Sequence, residues 1–188
     1  MQKRLLVAVT LPEEVERAIS YEADAISAEL PAELNARFSA QHKLHFTIIF
    51  LESQEEEGIP NMIDAMKKAV SHMKPFEIRI IKTDYAPEGN SKRMVWAYGS
   101  SDGMEELKRR IEESFTAYGV WFPRTREKFS PHITLARFEP KDADTLPKIA
   151  GELDIKFEVS SVELVESEWP EGDEYKEVVS VDFEQKDR

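Results

Sequence analysis

Apolar and polar positions along the chain fall into two alternating rhythms. Residues 4–9 read as a short strand, apolar from Leu5 to Val9. Pro12 then opens a helix with Glu13 and Glu14 in its first turn, where proline and acidic side chains both fit. Val15, Ala18, Ile19, Glu22, Ala25, Ile26 and Leu30, mostly apolar, recur at helical spacing until Pro31. Residues 43–51, K-L-H-F-T-I-I-F-L, read as a strand, 54–58 as an acidic loop, and 59–73 as a helix that turns Ile63, Met66, Ala69 and Val70 inward. Alternation over 76–82 predicts another strand.

The pattern then restarts. Residues 94–98 predict a strand. Asp102 followed by Glu105 has the spacing of a capping box, and Met104, Leu107, Ile111 and Phe115 make one helical face that stops at Gly119. P-H-I-T-L-A-R-F at 131–138 predicts a strand, 142–150 a short helix, and 155–166 and 175–183 a final pair of strands joined by W-P-E-G-D-E. Strand, helix, strand, helix, strand thus occurs twice, in halves of about 1–90 and 91–188. The expectation is one α+β domain built from a duplicated unit with pseudo-two-fold symmetry.

The two strands in corresponding places each carry His-x-Thr: His45 with Thr47, and His132 with Thr134, 87 residues later. Side chains two apart on a strand share a face, so each imidazole sits beside a hydroxyl. One such pair is ordinary for a core histidine. Two on corresponding strands predict a shared cleft. Histidine titrates near neutrality, so one ring can serve as base and the other as acid. Threonine hydroxyls and a nearby arginine can hold phosphate oxygens. His42 and His72 are read as surface residues. Phe129 and Trp96 are read as core aromatics, with base stacking as the alternative.

Composition narrows the class. The 188 residues are 41% hydrophobic and 33% charged, with no cysteine and a formal charge of −12. Disulfides, a thiolate nucleophile and cysteine-held metals are excluded. No run approaches the roughly 18 apolar residues of a membrane helix, and the first residues lack a signal-peptide pattern, so a cytoplasmic protein is expected. The negative total argues against bulk electrostatic binding of long nucleic acid. Residues 120–141 nevertheless hold five basic side chains (Arg124, Arg126, Lys128, Arg137, Lys141) against two acidic, whereas residues 163–188 hold ten acidic against three basic. The basic segment suits a small anion or a nucleic-acid end.

H-F-T-I-I-F-L and S-P-H-I-T-L-A-R resemble the paired motifs of the 2H phosphoesterase superfamily, above all its RNA 2′,3′-cyclic phosphodiesterase (2′-5′ RNA ligase) branch. R-L-L-V-A-V-T-L-P, R-M-V-W-A and the closing V-E-L-V-E-S-E-W-P-E-G-D-E-Y extend the resemblance over nearly the whole chain. It implies a bilobal α+β fold with antiparallel sheets lining a central cleft and helices outside. It also implies hydrolysis of RNA 2′,3′-cyclic phosphate ends to 2′-phosphates, with His45 protonating the leaving oxygen, His132 activating water, and Thr47 and Thr134 binding phosphate. Arg137, Arg126 and Lys128 are further candidates for substrate contact. By strict alternation Arg137 faces away from His132. No metal, no cofactor and no membrane are expected, and a monomer is. Cleavage of 2′-5′ linkages or small cyclic nucleotides, or non-catalytic binding of a nucleotide or RNA end, stay open. Two positions depart from the family pattern: Glu52 stands where glycine is usual, and Ser130 where arginine or lysine is frequent.

Overall fold

A computed structural model gives the structure, which describes residues 1–124, 128–149, 151–168 and 175–184. Strand β1 (Gln2–Thr10) leads into helix α1 (Glu13–Glu29), then the short β2 (Arg37–Phe38), β3 (His45–Glu55), α2 (Ile59–Val70), β4 (Phe76–Ala86), β5 (Ser91–Ser100), α3 (Asp102–Ala117), β6 (His132–Asp142), β7 (Gly151–Val159), β8 (Ser161–Ser167) and β9 (Tyr175–Asp182). Among the described residues, no helix is long and apolar enough to cross a membrane.

The helices form where the pattern predicts. Val15, Ile19, Ala23 and Ile26 are the buried stripe of α1, which ends where Leu30 turns extended ahead of Pro31. In α3 the buried positions are Met104, Leu107, Ile111, Ser114 and Phe115. Ser114 Oγ donates to the Ala65 carbonyl of α2 at 2.7 Å, which fastens the two helices together. Gly119, with φ of 69°, closes α3 in the left-handed conformation that only glycine adopts cheaply.

Three expectations are corrected. Asp102 is already inside α3; its N-cap is Ser101, and no side chain caps that end. Ser101 Oγ instead donates to the Glu77 carbonyl, so a tertiary hydrogen bond replaces the capping box. Of the helix expected at 142–150, the described residues 142–149 form no α-helix. One 3-10 turn, Ala143–Thr145, is held where the Asp142 carboxylate accepts from the Asp144 N–H, and Pro147 follows directly. The strand expected over 155–166 is two strands, because the chain leaves one edge of the sheet at Val159 and re-enters elsewhere at Ser161. The W-P-E-G-D-E segment lies outside the described residues; the strands flanking it, β8 and β9, pair antiparallel as expected of a hairpin.

The sheet order is β7-β4-β5-β6-β3-β1-β8-β9, with β2 added beside β6. It consists of two four-stranded wings. β3 and β6 meet through one residue pair, Phe46 opposite Ile133, both fully buried. The boundary expected near residue 90 falls between β4 and β5, which are hydrogen-bonded neighbours. Each half instead places its last strands in the other half's wing: β4 pairs β5, and β8 pairs β1.

One face of this sheet carries Leu5, Val7, Val9, Phe46, Ile48, Ile133 and Leu135 into the main core with the helices. The opposite face is concave and carries a small separate cluster, Leu6, Ala8 and Val165 with Tyr175 against them. The cleft opens on that face.

Candidate active site

The alternation of β3 and β6 is broken once in each, at matching places. Along β3, Ala8 of β1 opposes Thr47 and Val7 opposes Ile49, so Ile48 is an extra residue. Along β6, Trp96 of β5 opposes Thr134 and Val95 opposes Ala136, so Leu135 is extra. Each is a β-bulge, which shifts the phase of every side chain that follows. The residue five beyond each histidine therefore swings back to the histidine's own face. Arg137, expected to point away from His132, lines the cleft, and so does Phe50.

The cleft has a volume of 440 Å³, and His45, Thr47, His132 and Thr134 all line it. His45 Nδ1 lies 2.7 Å from the Lys43 carbonyl, and His132 Nδ1 lies 2.7 Å from the Ser130 carbonyl. A carbonyl can only accept, so each Nδ1 carries the proton and donates, and in the neutral ring Nε2 presents its lone pair. His45 Nε2 lies 3.1 Å from Thr47 Oγ1, so the hydroxyl donates to the neutral ring and accepts from the protonated one. Because a backbone carbonyl fixes His132, the side chain lost at Ser130 does not affect the tautomer.

Each imidazole also has an aromatic neighbour. The Trp96 indole stacks on His132 with centroids 3.5 Å apart and planes 11° apart. Tyr175 lies against His45 at 5.1 Å and 51°. Trp96 is thus a wall of the cleft and not a core residue. Phe129 is partly buried against the core with the Lys108 ammonium 5.3 Å from its ring centre, in accord with its expected core role.

Burial is the main force that lowers the pKa of both histidines. The hydrogen bonds to Lys43 and Ser130 oppose it, and the positive charge of Arg137 adds to it on both rings. A positive charge on His45 further disfavours one on His132. In the empty cleft both rings therefore resist protonation at neutral pH.

The cations of the cleft come largely from outside the basic segment at 120–141. Arg137 is its representative; Lys128 is not among the lining residues, and Arg126 lies outside the described residues. Among the described residues Arg4, Arg37 and Lys43 are the other cations that line the cleft, and no described Asp or Glu lines it. Lys43 was readable, since it sits two residues before His45 as Ser130 sits before His132. Arg37 was not, because β2 is two residues long and becomes visible only where it pairs with Arg137 and Ala136 of β6. His72 is exposed, ion-paired to Glu184 at 2.8 Å, and His42 is exposed as well, so both are surface residues as expected. Among the described residues no cluster of three or more His, Cys, Asp or Glu could hold a metal ion.

Comparison with known proteins places this geometry in a family. The family profile described as the 2′-5′ RNA ligase superfamily matches residues 13–169. A Thermus thermophilus protein named RNA 2′,3′-cyclic phosphodiesterase is 30% identical over 177 residues, covering 92% of this chain and 86% of the relative. A protein of the same name from Methanothermobacter thermautotrophicus is 26% identical, covering 88% of each. A crystal structure of a protein from Thermus thermophilus superposes with a TM-score of 0.81 at 26% identity, covering 96% of this chain and 97% of that one. E. coli LigT complexed with 3′-AMP superposes at 0.74 and 21% identity, covering 98% and 100%, a likeness of fold. The profile spans most of the chain and the Thermus relative covers nearly all of it, and the chain belongs to the 2′-5′ RNA ligase superfamily.

Proposed function

We propose that the cleft hydrolyses 2′,3′-cyclic phosphates at RNA ends to 2′-phosphates by paired histidine acid–base catalysis. The observation that carries this reading is the equivalence of the two imidazoles. They stand on corresponding strands, each has Nδ1 pinned to the carbonyl two residues earlier, and both line one cleft that no described Asp or Glu lines. Fixing Nδ1 leaves Nε2 of each ring for proton transfer. Two relatives of this chain bear the name RNA 2′,3′-cyclic phosphodiesterase, which supports the substrate class.

The step balances with these residues alone. His132 Nε2 takes a proton from water as the water oxygen bonds to phosphorus. His45 Nε2–H gives its proton to the 3′ oxygen as the P–O3′ bond breaks. Thr47, Thr134 and Arg137 donate to the non-bridging oxygens, whose charge rises in the transition state. Both rings resist protonation in the empty cleft, so the proton on His45 is stabilised by the phosphate anion: ester and proton bind together. No step requires a metal.

The test is turnover of a nucleoside 2′,3′-cyclic phosphate with EDTA present. His45→Ala and His132→Ala should each lower kcat/KM by roughly 10²–10⁴-fold, the size of one general acid or base. The double variant should lose less than the product of the two, since the rings act as a unit. A 4-nitrophenyl phosphodiester, whose leaving group needs no proton, should rescue His45→Ala and not His132→Ala. Rescue of the second alone reverses the roles, and a full-rate double variant overturns the mechanism.

A further inference from the structure

The two bulges are held in different ways. The β1–β3 ladder passes over Ile48, and the β5–β6 ladder passes over Leu135. Both residues are buried, and a buried carbonyl left without a donor is costly. The Leu135 carbonyl accepts from the backbone N–H of Ser39 at 2.8 Å, and the Ser39 hydroxyl donates to the preceding Thr134 carbonyl at 2.9 Å. The Ile48 carbonyl accepts from the Lys108 ammonium of α3 at 3.3 Å. The bulge of β6 is thus satisfied by main chain, which almost any sequence provides. That of β3 takes its donor from one side chain, reaching over from a helix.

Lys108 is itself fixed. It lies one turn beyond the buried Met104 and one turn before Glu112, whose carboxylate is 2.8 Å from the ammonium. The Phe129 ring centre lies 5.3 Å from the same nitrogen, and only 18% of the lysine side chain is exposed. Lysines in pairs one turn apart ordinarily sit in solvent and contribute little. This one is laid against the strand of the first histidine. The residue it holds, Ile48, directly follows Thr47, whose hydroxyl stands 3.1 Å from His45 Nε2. A backbone free to change its bulge at Ile48 would carry that hydroxyl with it.

We propose that Lys108 is a positioning residue: through the Ile48 carbonyl it locks the bulge of β3 and so holds the Thr47 hydroxyl in place at the phosphate. It touches no substrate and acts from the core side of the sheet. This rests on the hydrolytic reading above and adds to it a residue outside the cleft. Thr47 donates to oxygens whose charge rises in the transition state, so its misplacement lowers kcat more than it raises KM.

The experiment measures turnover of adenosine 2′,3′-cyclic phosphate. Lys108→Met keeps the apolar stem and loses the donor. It should lower kcat by about 10-fold to 100-fold, the cost of a displacement near 1 Å at a reacting centre, and change KM by less than about 2-fold. In a Thr47→Ala background the same substitution should cost less than about 3-fold, because the group it positions is already gone. Chemical rescue separates the ammonium from packing. The chain has no cysteine, so Lys108→Cys introduces a single thiol. Its thiolate displaces bromide from 2-bromoethylamine and regains an ammonium at lysine's reach, whereas bromoethane gives a neutral adduct; mass spectrometry verifies one adduct in each case. The first adduct should recover the rate and the second should not. A full rate in Lys108→Met, an undiminished loss in the Thr47→Ala background, or recovery with both adducts or with neither overturns the proposal. Amide hydrogen exchange reads the lock without turnover: residues 47–50 should exchange about 10-fold faster in Lys108→Met, and residues 134–137 at the wild-type rate. Equal exchange at 47–50 also overturns it. Failure of wild type to turn over the cyclic phosphate overturns the hydrolytic reading instead, and exchange still decides whether Lys108 holds the bulge.

Discussion

Replacing Arg137 with glutamine should separate its two effects on the site. The bulge at Leu135 brings the guanidinium into the cleft, where its charge lowers the pKa of both histidines and faces the position of the phosphate. A unit charge about 4 Å from a phosphate oxygen contributes about 1 kcal/mol in water and about 4 kcal/mol at the dielectric of a protein surface. Arg137 is exposed and the cleft is open, so the lower half of that range applies. A loss of about 2 kcal/mol, or about 30-fold in kcat/KM, is expected from Arg137→Gln. The pH profile should move at the same time. Removing a positive charge makes each imidazole easier to protonate. The acid limb, set by the base His132, and the alkaline limb, set by the acid His45, should therefore both shift to higher pH. Arg137→Lys keeps the charge and loses the two-pronged donor geometry, so it should leave the limbs in place while recovering part of the rate. The assay is kcat/KM against pH for the three proteins on one cyclic phosphate. Limbs that stay fixed in Arg137→Gln would refute the electrostatic coupling, and an unchanged rate would remove Arg137 from the site.

Two further outcomes are expected. The alkaline limb of kcat should lie at higher pH than that of kcat/KM, because kcat/KM reports the empty cleft, where burial and Arg137 lower the pKa of His45, while kcat reports the complex, where the bound anion raises it; coincident limbs in a pH-rate series would contradict this. Glu52 has φ of 54° at a second irregularity of β3, where Leu5 opposes Glu52 and Leu6 opposes Phe50. Glutamate there costs about 1–2 kcal/mol and glycine forfeits about 0.5–1 kcal/mol of chain entropy, so Glu52→Gly should raise Tm by about 2 °C, and a thermal melt showing a lower Tm would exclude strain at this position.

The motif residues were legible because period-two alternation survives from His45 to Thr47 and from His132 to Thr134. It fails two residues later in both strands. The doublets Ile48-Ile49 and Leu135-Ala136 are all buried, and two consecutive inward residues mark a bulge. A continuous apolar strand has the same appearance in sequence, so the bulges went unseen and Arg137 was read as turned away. Trp96 was misread for another reason: a large aromatic on a central strand is usually core, and only the pairing of Trp96 with Thr134 places it against His132. Arg4 and Arg37 escaped notice because a cleft gathers charge from distant segments, and a sliding count along the chain sees only clusters. The helix expected at 142–150 would have to run through Pro147, which removes a backbone donor and disfavours helix at the residue before it.

The exchange of last strands between the halves carries a historical consequence. A single unit with β1, α1, β3, α2 and β4 cannot cover the edge of its own sheet with β4, which belongs beside β5. Two separate copies trading that strand about a two-fold axis would complete each other, and each copy would contribute one histidine and one threonine to a common groove. Such a pair is bound to sameness: any change at the fifth position after histidine appears twice. Joined in one polypeptide, the copies are released from that bond. Position 50 can be phenylalanine while position 137 is arginine, and position 8 can be alanine while position 96 is tryptophan. Asymmetry of that kind is what a substrate with two different ends demands, and an identical pair has no means of supplying it.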